Sequence, residues 1–252
     1  KREPDNVVQT SKVRLIGGQW RSRKIQFPVV SGLRPTTDRI RETLFNWLQN
    51  EIAGRTCLDL FAGSGACGFE ALSRGAKRVV FIENNRLAYD SLGSNIDLLG
   101  AKGAERLHID VADWLDGHAA QYQSCFDVVF IDPPFAKSLA TSVCHQLEQK
   151  NILKEAAKIV IESDRILLEN ELPNNWQRLK QKKSGSVYYY LYEKNSNKTK
   201  KGGSPGTYAT PPGTYPLSQS GTYATPPSGI QTIPILNLIK FYEYLSKEIN
   251  IS

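Results

Sequence analysis

Apolar positions fall into short runs that alternate with helically spaced segments from Thr56 onward. Runs at Thr56–Leu60, Arg78–Ile82, Arg106–Ile109, Phe126–Ile131 and Lys158–Ile161 end in polar or turn residues and predict strands, with a later strand at Val187–Glu193. Most of the connections between them have the length of helical crossovers. The fold class this predicts is α/β, a doubly wound and mostly parallel sheet, whose ligands sit beyond the C-terminal strand ends near the topological switch. Upstream, Val13–Ile16 and Lys24–Phe27 have strand character about Gly17-Gly18 and predict a small hairpin. Arg34-Pro35-Thr36-Thr37-Asp38 then reads as a helix entrance, because Pro35 disfavours helix before it and Thr or Asp caps the first turn. Ile40, Leu44, Trp47 and Leu48 follow at helical spacing, so one face of that helix is expected in the core.

The pattern breaks after Lys201. Residues 201–229 hold six Gly, six Pro and nine Ser/Thr, and Gly206-Thr-Tyr-Ala-Thr-Pro-Pro212 recurs as Gly221–Pro227. Such a stretch has too little apolar surface to offset ordering entropy, so 195–229 reads as a flexible linker with repeats. Ile235, Leu236, Leu238, Ile239, Tyr242 and Leu245 then space an amphipathic helix over 230–252, whose role the sequence does not reveal.

Composition narrows the class. With 252 residues, 40% hydrophobic and 23% charged, the chain is globular rather than disordered. No apolar run is long enough to span a membrane, and the first residues lack the apolar core of a secretory signal. Cys57, Cys67, Cys125 and Cys144 are scattered, which argues for free thiols, a reducing cytoplasmic location and no metal site. The absence of methionine, position 1 included, points to a chain that is not the whole primary translation product. Net charge is +7, and residues 1–41 hold ten Lys/Arg against three acids, so the excess sits at the N-terminal front. A basic front on a near-neutral body suits a polyanion, whose phosphates supply sequence-independent affinity. Arg14, Trp20, Arg21, Arg23, Lys24, Arg34 and Arg39 are its candidate contacts, with Trp20 interleaved among the arginines.

Candidate chemistry begins at Cys57–Gly68, which runs from a strand into a helix. Gly63, Gly65 and Gly68 match the dinucleotide spacing G-x-G-x-x-G, with Glu83 twenty residues after Gly63. Asp59 separates the readings. A carboxylate four residues before the first glycine repels a pyrophosphate at the helix N-terminus, but it suits the α-ammonium and sulfonium of S-adenosylmethionine. Glu83, ending the Val79–Ile82 strand, is placed to accept both ribose hydroxyls, and Asp110, after Leu107-His108-Ile109, to accept the adenine amine. Phe61, Ala62, Gly63, Ser64 and Gly65 of the loop, with Asn84 and Val111 beside the two acids, complete the expected cofactor set.

The second motif is Asp132-Pro133-Pro134-Phe135, where the strand Phe126–Ile131 stops. Two prolines fix the backbone and remove two donors, leaving carbonyls as acceptors beside the Asp132 carboxylate. Phe135 offers a flat face. The corner suits a flat ring bearing an exocyclic amine: Asp132 and the Pro133 carbonyl accept its two N–H bonds, and Phe135 stacks on the ring. Holding both bonds aims the nitrogen lone pair at a methyl donor, and the methylated aminium sheds its proton without a strong base.

Leu58–Gly65 and Asp132–Phe135 resemble the cofactor and catalytic motifs of class I amino-methyltransferases. Val13–Lys24 and Leu33–Leu48 narrow the resemblance to the bacterial RsmD-type methyltransferases, over about residues 13–194. The resemblance implies a seven-stranded Rossmann-like sheet with a reversed final hairpin and a small N-terminal hairpin that contacts RNA. It implies S-adenosylmethionine as methyl donor, S-adenosylhomocysteine as product and no metal. It also implies methylation of the N2 amine of one guanine in 16S ribosomal RNA, on the small subunit or its assembly intermediate. The organisation expected is then an N-terminal extension over 1–34, a methyltransferase domain over 35–194, the linker and the terminal helix, acting as a monomer. The tail after Lys194 lies outside the family pattern.

Other readings stand beside this one. The same amine chemistry fits adenine or cytosine in DNA, or a protein glutamine, and the basic front does not separate RNA from DNA. Of different class are a dinucleotide oxidoreductase, which Asp59 disfavours, and a non-catalytic RNA-binding protein, which the intact Asp132–Phe135 corner argues against.

Overall fold

The structure is a computed structural model, and it describes residues 9–30, 36–134 and 139–196. The chain divides into two compact units, 1–202 and 203–252; the linker beyond residue 196 and the terminal helix expected from the sequence lie outside the described residues, as do Arg34 and Phe135.

A two-stranded antiparallel hairpin opens the first unit, β1 (Thr10–Arg14) and β2 (Lys24–Pro28), joined through a 3-10 turn at Gly18–Trp20. Helix α1 (Asp38–Trp47) follows, entered at Thr37 as the Pro-Thr-Thr-Asp entrance predicts, though the Thr37 side chain makes no capping hydrogen bond. The body is one seven-stranded sheet of order β5-β4-β3-β6-β7-β9-β8. Its strands are β3 (Thr56–Leu60), β4 (Arg78–Glu83), β5 (Ala104–His108), β6 (Phe126–Ile131), β7 (Leu153–Ser163), β8 (Trp176–Ser184) and β9 (Val187–Lys194). The first five are parallel, and β9 runs antiparallel to both β7 and β8, closing the sheet with a reversed hairpin. Crossover helices are α2 (Ala66–Ser73), α3 (Arg86–Leu99), α4 (Val111–Gly117) and α5 (Leu139–Gln149). The predicted fold class holds.

Burial explains which strands were legible. Strands β3, β4 and β6 are buried on both faces, so they read as continuous apolar runs. Strand β8 is exposed along almost its whole length, with Arg178, Lys180, Lys182 and Lys183 at the sheet edge, and no periodicity marked it. Strand β7 extends well past the predicted Lys158–Ile161 at both ends, with an irregular register between Phe126 and Val128 of its partner and Ala156 at φ 57°.

Two cores flank the sheet. On one face Phe69 of α2, Leu44 and Phe45 of α1 and the hairpin residues Val13, Leu15, Ile25 and Phe27 pack on Phe81, Phe130 and Val160. On the other, Trp114 and Leu115 of α4 and Val143, Cys144 and Leu147 of α5 pack on Ile82, Val129 and Ile161. The N-terminal hairpin therefore shares the first core instead of standing off as an arm. A buried charge cluster fastens it there: Glu70 of α2 accepts from the backbone N–H groups of Ile16 and Gly17 at 2.8 Å each and from Arg74 Nε at 2.8 Å. Arg41 of α1 lies 3.8 Å from the same carboxylate and donates to Arg14 O at 2.8 Å and Asp38 Oδ1 at 2.6 Å. On the other side Gln26 and Asn95 of α3 exchange two hydrogen bonds, at 3.0 and 2.7 Å. Among the described residues no helix is long and apolar enough to cross a membrane.

Candidate active site

The chain reverses its direction of travel across the sheet between β3 and β6, and at the C-terminal ends of those strands a cleft of about 740 Å³ opens. Four adjacent strands each bring a carboxylate to it: Glu83 ends β4, Asp59 is the penultimate residue of β3, Asp132 follows β6, and Glu162 lies at the end of β7. Register puts all four on one face, since Asp59 pairs with Phe81 and Phe130, Phe130 pairs with Val160, and alternate residues share a face.

The loop after β3 turns through left-handed conformations at Phe61 (φ 63°), Gly63 (φ 51°) and Gly65 (φ 73°). At Gly65 a side chain is barred by space as well as by φ, because a Cβ would stand 2.5 Å from a Leu92 methyl and 2.7 Å from the Phe69 ring. Phe61, Ala62, Gly63 and Ser64 line the cleft, as expected of the cofactor set, whereas Gly65 does not line it: it is buried beneath, where its part is to turn the chain into α2.

The N–H groups of the three glycines are already used. Gly63 donates to Glu83 Oε2 at 2.6 Å, Gly65 to Ala62 O at 2.7 Å and Gly68 to Asp59 Oδ2 at 2.9 Å. A pyrophosphate cradle needs such amides free and facing the ligand, so the geometry goes against the dinucleotide reading that the glycine spacing raised. Glu83 also accepts from Asn85 N at 2.7 Å through Oε1, so each of its oxygens holds one backbone N–H and keeps a further lone pair. Asp110 caps α4 through Ala112 N at 2.8 Å and accepts from Asn84 Nδ2 at 3.0 Å. Asn84, Asp110 and Val111 all line the cleft.

Electrostatics set the character of the row. Burial, with Glu83 nearby, pushes the Asp59 carboxyl up to about 8 despite the Gly68 N–H that favours its charge. Burial, then the charges of Glu162 and Asp59, holds Asp132 well above the ordinary carboxylate range. Burial also raises Glu162, against hydrogen bonds from Thr36 and Tyr189 that favour its ionised form. Crowded carboxylates of this kind welcome cations and hydrogen-bond donors and reject anions. Asp132 and Pro133 are partly buried and Pro134 is exposed at the cleft, so the proline-stiffened corner faces the loop across it.

Glu162, Thr36 and Tyr189 line the cleft too, and the sequence reading passed them over. One signal was available for Glu162: like Glu83 and Asp132, it is an acid directly following a predicted strand.

The expected nucleic-acid contacts divide. Arg14, Arg21, Arg23, Lys24 and Arg39 are exposed, with Arg14 3.2 Å from Asp38 and Arg23 donating to Leu98 O at 2.8 Å. Trp20 is a correction. It is 9% exposed, packs in the hairpin-side core and donates its backbone N–H to Ser73 Oγ at 2.9 Å, so its ring is not offered to a base. Arg41, counted in the basic front, is wholly buried beside Glu70.

Comparison with known proteins agrees with this geometry. The family described as Conserved hypothetical protein 95 matches residues 13–193. The Ribosomal RNA small subunit methyltransferase D of Escherichia coli (strain K12) is 42% identical over 194 residues, covering 76% of this chain and 94% of that one. Its namesake from Haemophilus influenzae is 45% identical over 186 residues, covering 72% and 94%. Among solved structures, a putative methyltransferase from Escherichia coli superposes with a TM-score of 0.66 at 41% identity, over 74% of this chain and 99% of that one. With the family pattern running from the hairpin through the last strand, and the loop and corner meeting in one cleft, the chain belongs to the RsmD family of methyltransferases.

Proposed function

We propose that this enzyme transfers a methyl group from S-adenosylmethionine to the exocyclic N2 amine of a guanine in 16S ribosomal RNA, on the small subunit or its assembly intermediate. The observation that carries the reading is the meeting of the Asp132-Pro133 corner and the glycine loop in one cleft lined by carboxylates. The residues fit the donor. Asp59 suits its cationic end, Glu83 has lone pairs left for the ribose hydroxyls, and Asp110 with Asn84 and Val111 offers a site for the adenine. When bound, the donor supplies an electrophilic methyl on a positively charged sulfur.

The chain's own contribution is positioning. The Asp132 carboxylate and the Pro133 carbonyl accept the two N–H bonds of the amine and so turn its lone pair toward the methyl, an orientation effect. Pro133 and Pro134 keep the corner stiff without placing competing N–H donors there. After transfer the nitrogen carries a proton it readily loses, and Asp132, whose surroundings favour the protonated carboxyl, is at hand to take it and pass it to water. Phe135 stacks on the base, and Arg14, Arg21, Arg23, Lys24, Arg34 and Arg39 contact phosphates around it. In this reading the enzyme acts in the cytoplasm as a monomer and reaches the base by flipping it from folded RNA.

The test is methyl transfer from labelled donor to small subunits lacking the modification, mapped by mass to N2 of a guanine, with duplex DNA as competitor. Asp132→Ala is expected to lose transfer while still binding S-adenosylhomocysteine. Undiminished turnover in that variant, or preferential methylation of the DNA, refutes the proposal.

A further inference from the structure

Glu162 stands in the cleft without a task in the transfer described above. It lies one strand over from Asp132, and the pairing of Ile131 with Ile161 sets the two acids side by side on one sheet face. Two hydroxyls from separate elements hold its carboxylate: Thr36 Oγ1, at the entrance of α1, donates to Oε2 at 3.2 Å, and the Tyr189 hydroxyl of β9 donates to Oε1 at 3.4 Å. These contacts orient the carboxylate and leave lone pairs on both oxygens. Neighbouring carboxylates are a costly arrangement unless donors face them, and burial already biases both toward protonation. A ligand that presents adjacent N–H groups can span the pair. Guanine does so, with N1–H next to its N2 amine, whereas adenine and cytosine carry a ring nitrogen lone pair beside their amine.

We propose that Glu162, positioned by Thr36 and Tyr189, is the base-reading residue of this site: its carboxylate accepts N1–H of the guanine whose N2 amine lies on Asp132 and Pro133. The inference rests on the guanine-N2 reading and extends it to the choice of base. With Glu162 ionised, the form its Thr36 and Tyr189 hydrogen bonds favour, an adenine or cytosine in the same place sets an acceptor against an acceptor, so rejection comes from an unpaired, repelled group and not from shape. Thr36 and Tyr189 act through Glu162 and are positioning residues.

The experiment replaces the methylated guanine, once mapped, by 2-aminopurine in 16S RNA assembled into small subunits. That base keeps the C2 amine and carries a lone pair in place of N1–H. The readout is the ratio of kcat/KM for guanine to that for 2-aminopurine, with S-adenosylhomocysteine binding followed by calorimetry. The wild-type enzyme is expected to favour guanine by about 100-fold or more. Glu162→Gln is expected to bring the ratio within about tenfold, because its amide can turn an N–H toward the ring lone pair, with product binding unchanged. A ratio in Glu162→Gln equal to that of the wild type, or a wild-type enzyme that treats the two bases alike, overturns the assignment. If Glu162→Gln fails to bind product, Thr36→Val, which removes a single hydroxyl, is expected to lower the ratio several-fold, and an unchanged ratio there is the overturning result. Failure of the wild type to methylate guanine N2 at all shows up before any variant and sinks the parent reading instead.

Discussion

Donor binding at this site should release a proton, and Asp59 sets the amount. Its carboxyl is buried, has one N–H partner in Gly68 at 2.9 Å, and is pushed up to about 8, with Glu83 adding to the effect of burial. In the free enzyme at pH 7, a group with such a pKa is protonated in about nine molecules of ten. A ligand bringing an ammonium favours the carboxylate and returns the group toward its ordinary value of about 4, so binding at pH 7 releases ~0.9 proton. Affinity should then rise with pH, at most tenfold per unit, between about pH 5 and 7.5, and level off above pH 8. The assay is calorimetric titration with S-adenosylhomocysteine, which keeps the ammonium, in buffers of different ionisation enthalpy at pH 6, 7 and 8. Asp59→Asn keeps a side-chain oxygen for Gly68 N–H but cannot ionise. It should bind about 10- to 100-fold more weakly at pH 8 and release no proton from this site. A wild-type enzyme that binds without proton release at pH 7, or an Asp59→Asn variant with the same release, refutes the reasoning.

The other predictions concern packing and charge. Glu70→Ala leaves the wholly buried Arg41 guanidinium and two hairpin N–H groups without their carboxylate, and should cost about 3–5 kcal/mol in urea denaturation. Trp20→Ala should cost roughly 3–5 kcal/mol of stability by the same measurement and leave the salt dependence of RNA binding unchanged, because the ring is in the core. Replacing Arg21, Arg23 and Lys24 together by Gln should do the reverse, weakening RNA binding and reducing the slope of log affinity against log salt by about 2–3, with the melting temperature little moved. Gly65→Ala places a methyl 2.5 Å from Leu92 at a left-handed φ and should reduce donor binding measured by calorimetry about tenfold or more.

What the sequence revealed followed from burial and backbone chemistry. Strands β3, β4 and β6 announce themselves because both faces are covered, and the acids at or near their ends stand out as a set at the strand ends where such sheets bind ligands. The glycine spacing, by contrast, was ambiguous between a dinucleotide and S-adenosylmethionine. Asp59 separates them by charge, and the fold adds where the amide hydrogens go: Glu83 and Asp59 take the Gly63 and Gly68 N–H groups. Strand β8 stayed hidden because an edge strand rich in lysine has the composition of a loop. Trp20 misled because an aromatic among arginines has the composition of an RNA contact, while the 3-10 turn at Gly18–Trp20 carries its ring inward instead. Glu162 was passed over although it directly follows the predicted strand, because its partners Thr36 and Tyr189, 126 and 27 residues away in sequence, single it out only in the fold.

The row of carboxylates also has a consequence for the free enzyme. A carboxyl whose folded-state pKa is raised contributes stability that is fully present below its unfolded value near 4 and is lost as pH rises through the folded value, which for Asp59 is about 8. Asp132 and Glu162 are shifted in the same direction, so all three weaken the empty protein as pH climbs from acid toward neutral. Hydrophobic residues at these strand ends would avoid that cost, as they do two residues earlier at Phe81, Phe130 and Val160 on the same face. On the proposed function these acids meet their partners in the complex, a cationic donor at one end of the row and an N–H-rich base edge at the other. Each partner offsets a different part of the penalty. In that reading the donor relieves Asp59 and the base relieves Asp132 and Glu162, so the free energy of crowding is returned when both ligands are in place.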